Sequence, residues 1–192
     1  MKKIMSAAVL TLLVGGAQAQ VYVGGGLGLA KADIDCEAGL HCDTSDVGYK
    51  AYAGYRDPAN KVFGFEVGYL DLGKAKLDVI GSSIGLDVKA RAVYLAGALQ
   101  TNFTQSFGGG VRLGSAYVKT TCTGTIGASS GSVDDTHMAV YVGGNLDYAF
   151  TPQLKGVLSL DITRAKCPAG TGSANLPSAT VGLLSIGAQY GF

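Results

Sequence analysis

Along most of the chain, large apolar residues recur at every second position, the period of a strand with two unlike faces. The clearest run spans residues 138–150. Met138, Val140, Val142, Leu146, Tyr148 and Phe150 share one face, and Ala139, Tyr141, Gly143, Asn145 and Asp147 share the other. Residues 153–164 repeat it, with Leu154, Leu158, Leu160 and Ile162 set against Lys155, Ser159, Asp161 and Thr163. The same pattern predicts strands over 21–30, 47–56, 61–72, 86–100, 106–118, 138–150, 153–164 and 180–192. The fourth is ambiguous, because its odd positions hold Val93, Leu95 and Leu99 but also Lys89 and Arg91. Its odd face is expected to point outward, with Lys89 and Arg91 above the apolar band.

The connections fall into two length classes. Segments 57–60, 101–105 and 151–152 are short, whereas 31–46, 73–85, 119–137 and 165–179 are long. They alternate strictly, beginning and ending on a long one. This is the order of an up-and-down barrel with short turns at one end and long loops at the other, both chain ends lying on the short-turn side.

The start of the chain reads as an export address. Lys2 and Lys3 precede an apolar stretch from Ile4 to Val14, and Ala17-Gln18-Ala19 is a small-x-small cleavage site. Residues 1–19 are therefore expected to be a cleaved secretory signal peptide, leaving 20–192 as the barrel. Beyond it no apolar run exceeds the eight residues from Ala92 to Leu99, far short of a spanning helix. A chain with such patterning enters lipid only as a closed barrel, the one strand arrangement that satisfies its own backbone there.

Composition agrees. Glycine is abundant at 30 residues and charged residues make up only 15%, against about 25% for an ordinary soluble domain. Without Lys2 and Lys3, the 15 basic residues no longer outnumber the 14 acidic ones. Nothing in that balance attracts nucleic acid. All six Phe residues (63, 65, 103, 107, 150 and 192) lie near a short turn or the C-terminus, joined by Tyr55, Tyr148 and Tyr190. They read as one interfacial girdle, with Tyr49, Tyr69 and Tyr117 as the other.

The last eight residues are Ser185-Ile186-Gly187-Ala188-Gln189-Tyr190-Gly191-Phe192. They resemble the C-terminal signal of bacterial outer-membrane barrels, with a polar residue, a glycine, an aromatic and a terminal aromatic at matching spacing. Residues 64–73, reading Gly-Phe-Glu-Val-Gly-Tyr-Leu-Asp-Leu-Gly, resemble a third-strand region of the same group. With the signal peptide and strand pattern, the chain is similar to the OmpA/OmpX-like outer-membrane β-barrels. The resemblance implies an eight-stranded antiparallel transmembrane barrel in the bacterial outer membrane. It also implies that Gly187, Tyr190 and Phe192 are read by the barrel-assembly machinery. OmpA itself carries a peptidoglycan-binding domain after its barrel; this chain stops at the eighth strand, so no peptidoglycan anchoring is expected.

With apolar faces outward, the inward set includes Lys50, Arg56, Glu66, Arg112, Asn145, Asp147, Lys155, Asp161 and Gln189. Inward glycines such as Gly24, Gly110 and Gly143 would make room for these long side chains. An eight-stranded barrel is about wide enough for side chains to fill. Mixed signs predict ion pairs, Glu66 with Arg112 first, reaching across the lumen, with Lys50 and Asp161 as neighbours. A proton or ion path through the same groups is the functional alternative.

Cys36, Cys42, Cys122 and Cys167 all fall in long connections. An exported protein meets an oxidising compartment, so disulfides are expected, in any of three connectivities. Cys36–Cys42 is the favoured local pair, and Cys122–Cys167 would then join the third and fourth loops. No Cys-x-x-Cys pair supports a zinc site, and no cofactor motif occurs. Asp134-Asp135-Thr136-His137 holds an acid–histidine pair near Ser132, a combination common in solvated loops, so the chain is not expected to be an enzyme. Two readings remain. One is a structural, surface-interacting barrel whose loops meet lipopolysaccharide or a host ligand within outer-membrane lipid. The other is a narrow channel for small solutes or ions.

Overall fold

The computed structural model describes residues 20–33, 40–59, 62–79, 84–127, 129–167 and 179–192. Segment 1–19, Cys36 and most of 165–179 therefore lie outside the described residues. The elements are β1 (Gln20–Asp33), β2 (Leu40–Asp43), β3 (Ser45–Arg56), β4 (Phe63–Val79), β5 (Ile84–Asn102), β6 (Phe107–Ile126), β7 (Ser129–Ala149), β8 (Leu154–Ala165) and β9 (Ala179–Gly191). Both β2 and β3 pair with β4, Asp43 opposite Lys76 and Tyr49 opposite Asp71, so they are two pieces of one barrel strand. All neighbours are antiparallel. β1 pairs with β3 and β9, and β4 with β5, which closes an eight-stranded ring. Closure gives every backbone N–H and C=O in the membrane band a partner on the next strand.

The alternation read from the sequence sets the two faces. Leu27, Phe65, Leu95, Leu113, Val140 and Ile186 point outward and are exposed, whereas their chain neighbours point inward. On a soluble protein this girdle would be an aggregation surface; facing hydrocarbon, it is the solvated face. In β5 the odd residues Val93, Leu95 and Leu99 face out and Tyr94 faces in, which resolves the ambiguity of that strand. Aromatic pairs ring the short-turn end: Phe103 with Phe107, Tyr148 with Phe150, and Tyr190 with Phe192, at 5.2–5.7 Å between centroids. Tyr49 and Tyr69 pack at 5.9 Å nearer the other end.

Each short turn is fixed by a side-chain oxygen that accepts backbone N–H groups. Asp57 Oδ1 accepts from Ala59 N at 3.0 Å, Thr104 Oγ1 from Phe107 N at 3.0 Å, and Thr151 Oγ1 from Leu154 N at 2.9 Å.

The strands run further at the opposite end than the sequence reading allows. Segments 73–85 and 119–137, expected as loops, are largely hairpin. β4 pairs with β5 up to Asp78 and Gly85, and β6 with β7 up to Ile126 and Ser129. Likewise Cys42 and Cys122 lie in strands rather than loops. The reason is that apolar alternation stops where lipid stops, but backbone pairing does not. The β4–β5 ladder takes up a bulge between Asp71 and Lys74. Gly73 sits there at φ +67°, a conformation that favours glycine. Asp46 clamps the bulge by accepting from Val47 N and Lys74 N, both at 2.8 Å.

β7 and β8 pair only from Val142–Ile162 down to Ala149–Lys155. Above that point side chains continue the contact. Thr163 Oγ1 donates to the Val140 carbonyl at 3.1 Å, and His137 Nε2 lies 3.1 Å from the Arg164 carbonyl.

Candidate functional site: the barrel interior and its outer rim

The strand parity that sends apolar residues to lipid sends Lys50, Glu66, Arg112 and Asp161 inward from four different strands. All four are at most 3% exposed. Arg112 Nη1 donates to Glu66 Oε1 at 2.8 Å, and its Nη2 lies 3.5 Å from Asp161 Oδ1. Lys50 Nζ bonds both oxygens of Asp161, at 3.0 and 2.9 Å. The result is an alternating chain of two anions and two cations, formally neutral. Burial of this kind is tolerable only when every charge is partnered and hydrogen-bonded.

Glu66 and Arg112 stand on β4 and β6 with β5 between them. Their side chains meet over Ala96, which is opposite Glu66, and Ala98, which is opposite Arg112. The pair thus bridges one small-residue strand rather than the full lumen. Gly143 gives Arg112 and Asp161 their space: a Cβ there would lie 3.0 Å from Arg112 Nε and 3.1 Å from Asp161 Oδ1.

Tyrosines fill further acceptor positions on the two carboxylates. Tyr94 donates to Glu66 Oε1 at 2.6 Å, and Tyr22 donates to Glu66 Oε2 at 3.0 Å. Tyr141 donates to Asp161, and its ring stacks on Tyr94 at 4.1 Å. Tyr52 lies under Lys50 Nζ, 4.9 Å from ring centre, and its hydroxyl donates to Gln189 at 3.3 Å. Aromatic spacing along the chain points mainly to the girdles and leaves Tyr22 and Tyr52 unassigned. Parity held the missing signal, since Tyr22 alternates with outward Val21 and Val23. Several glycines make room for these rings rather than for charges: Tyr22 lies across Gly54, Tyr52 across Gly24 and Tyr94 across Gly68.

Asp147 and Lys155 form a separate pair nearer the short turns, Nζ to Oδ2 at 2.7 Å, with Asn145 donating to the other oxygen at 3.3 Å. On the opposite side of the four-charge cluster the interior turns apolar, with Ala30, Leu70, Leu72, Val118, Val181 and Leu183 buried together. The inward set named from the sequence does not include this layer.

At the outer rim, Cys122 on β6 is disulfide-bonded to Cys167 beyond β8, with Cα atoms 6.2 Å apart. The link spans the place where β7 and β8 part. Cys42 is also disulfide-bonded; Cys36, its expected partner, lies outside the described residues. Lys119 Nζ and Thr121 Oγ1 donate to Asp134 at 2.9 and 2.8 Å. These hydrogen bonds hold the exposed Asp134 carboxyl below its ordinary range. His137 Nδ1 lies 2.9 Å from Asp135 Oδ2. With the Arg164 carbonyl on its other nitrogen, the ring has no hydroxyl as hydrogen-bond partner among the described residues.

At the other end, Gly187, Tyr190 and Phe192 lie at the closing seam. Gly187 is opposite Gly26, Tyr190 is opposite Val23, and Phe192 N donates to the Val21 carbonyl at 3.0 Å. Tyr190 and Phe192 point outward.

A closed ring of strands, apolar outside and charge-paired inside, is a membrane-spanning β-barrel of the bacterial outer membrane. The chain belongs to the OmpA-like transmembrane domain family, whose model matches residues 16–163. Among solved structures, Neisserial surface protein A is similar at 18% identity, covering 90% of this chain and 97% of its own, with a TM-score of 0.59. The outer membrane protein OprG of Pseudomonas aeruginosa is similar at 17% identity, 92% and 98% coverage, and a TM-score of 0.58. Ail, the attachment invasion locus protein of Yersinia pestis, was solved in complex with the heparin analogue sucrose octasulfate. It matches at 15% identity, 92% and 100% coverage, and a TM-score of 0.58. These likenesses establish the fold. No curated protein matches the sequence.

Proposed function

We propose that this protein is a non-enzymatic barrel that presents its outer hairpins to surface or host ligands while its interior is closed to solutes. The observation that carries the reading is the neutral Glu66–Arg112–Asp161–Lys50 cluster, stacked against an apolar layer on the outer side. A conducting path would have to part four buried charges and then cross Leu70, Leu72 and Leu183. Catalysis is disfavoured by His137, whose two nitrogens face a carboxylate and a carbonyl rather than a nucleophile.

The outer hairpins carry the accessible chemistry. β6 and β7 extend past the last β7–β8 pair as a Ser-, Thr- and Asp-rich finger tied by Cys122–Cys167. Lipopolysaccharide, or a host polymer like the heparin analogue held by Ail, is the kind of partner that reading anticipates. In the same reading, residues 1–19 direct export and are cleaved after Ala19. Gly187, Tyr190 and Phe192 engage the assembly machinery.

The test is single-channel recording on the purified barrel in a planar bilayer, with binding of lipopolysaccharide and heparin to the barrel with and without hairpin 120–136. Silence in the bilayer and hairpin-dependent binding are expected. Sustained unit conductance would refute the closed interior and favour the narrow-channel reading.

A further inference from the structure

Below the apolar layer, the ionised side chains that point into the barrel do not cancel. Lys50 and Arg112 are matched by Glu66 and Asp161, and Lys155 by Asp147. Arg56, the inward residue ending β3, is left over: among the described residues it has no carboxylate within ion-pair distance. Its Nε, like that of Arg112, is buried with no hydrogen-bond partner among the described residues. A guanidinium stays ionised, and a buried donor without an acceptor is costly.

Arg56 lines a cavity of about 360 Å³ at the short-turn end, walled also by Asn102, Gln105, Lys155 and Gln189. That volume sits at the low end of the usual small-molecule range, about 300–1,000 Å³. The wall is rich in hydrogen-bond donors. Its one acidic side chain, Asp147, is already held by Lys155 and Asn145. The Gln189 oxygen accepts from Tyr52, which leaves its amide N–H groups free to donate. The roof includes Tyr22, whose hydroxyl is committed to Glu66. Because the short turns of such barrels face the periplasm, the cavity is approached from that side.

We propose that this cavity binds one small oxyanion, a carboxylate or a phosphate, in the fork of Arg56. The planar guanidinium matches either group with two parallel N–H donors, geometry that an ammonium cannot supply. A bound oxyanion neutralises the surplus charge. The four-charge cluster above stops it from travelling further, so the site is a blind pocket and not a stage of a channel.

The experiment follows the arginine Nε–Hε signals of the intact barrel in detergent micelles by NMR. Inorganic phosphate is titrated in one arm and N-acetylalanine, a peptide-like carboxylate, in the other. A saturable shift of Arg56 with Arg112 unmoved is expected, and the arm that saturates at lower concentration identifies the source of the anion. Arg56→Gln should weaken binding about 10- to 100-fold, the worth of a charge-assisted hydrogen bond. Arg56→Lys, which keeps the charge and loses the fork, should fall between the two and serves if the glutamine variant does not assemble. Arg56 and Arg112 drifting together without saturation would overturn the proposal. So would undiminished binding by Arg56→Gln.

Discussion

Removing the Glu66 carboxylate tests the interior most directly. Glu66 accepts from Arg112 at 2.8 Å, Tyr94 at 2.6 Å and Tyr22 at 3.0 Å. In Glu66→Ala all three donors lose that acceptor in a buried layer. Tyr22 still receives a bond from Gln100 at 3.2 Å, and Arg112 still reaches the Gly144 carbonyl at 3.3 Å and Asp161 at 3.5 Å. The dominant cost is the half-stranded guanidinium. Breaking one side of a buried ion pair costs about 3–5 kcal/mol. Unfolding by urea in lipid vesicles, fitted by linear extrapolation, should show that loss mainly as a lower midpoint. The double variant Glu66→Ala/Arg112→Ala removes the stranded cation and leaves Lys50–Asp161 paired. It should therefore cost less than the sum of the single variants, by a coupling of about 1–3 kcal/mol. Exchanging the two residues should recover little, because a carboxylate at position 112 would face Asp161. Additive single effects, or a Glu66→Ala midpoint equal to that of the unmodified protein, would refute the cluster as a stabilising unit.

Two further outcomes follow from the rim and the seam. Cys167→Ser should loosen the β6–β7 finger and cost up to about 4 kcal/mol, the chain-entropy value for a link across 45 residues; peptide mapping without reductant and amide exchange at 119–137 would report it. Deleting Phe192 removes a bond to Val21 and half of an aromatic pair with Tyr190. It should reduce the heat-modifiable, folded form in outer-membrane fractions, and unchanged assembly would count against the C-terminal signal.

What the sequence disclosed tracks one variable, the contrast between lipid and interior. Wherever a strand crosses hydrocarbon, its outward residues must be apolar, so parity alone locates Lys50, Glu66, Arg112 and Asp161 on inward faces. The same rule is silent above the membrane. There Thr120–Thr125 and Ser129–Thr136 carry no apolar alternation, although they pair as regularly as the core. It is silent, too, on what inward residues touch. Nothing in a linear pattern says that Arg112 clears β5 over Ala96 and Ala98, or that Tyr141 stacks on Tyr94. The rule also gives no warning of Leu70 and Leu183, since a leucine inside the barrel obeys the packing rule of soluble proteins within a fold that inverts it.

The seam between β1 and β9 joins Tyr22 to Gly191 and Asp33 to Thr180, so the ring is completed by residues from opposite ends of the chain. No early portion of the chain can complete itself. Until β9 is in place, β1 offers an open edge of unpaired backbone, the feature through which strands of separate molecules find each other. Contacts so distant in sequence also form slowly. The hazard of this architecture is therefore one of time: its danger lies between export and closure, when a sheet with two bare margins must be kept from its own copies.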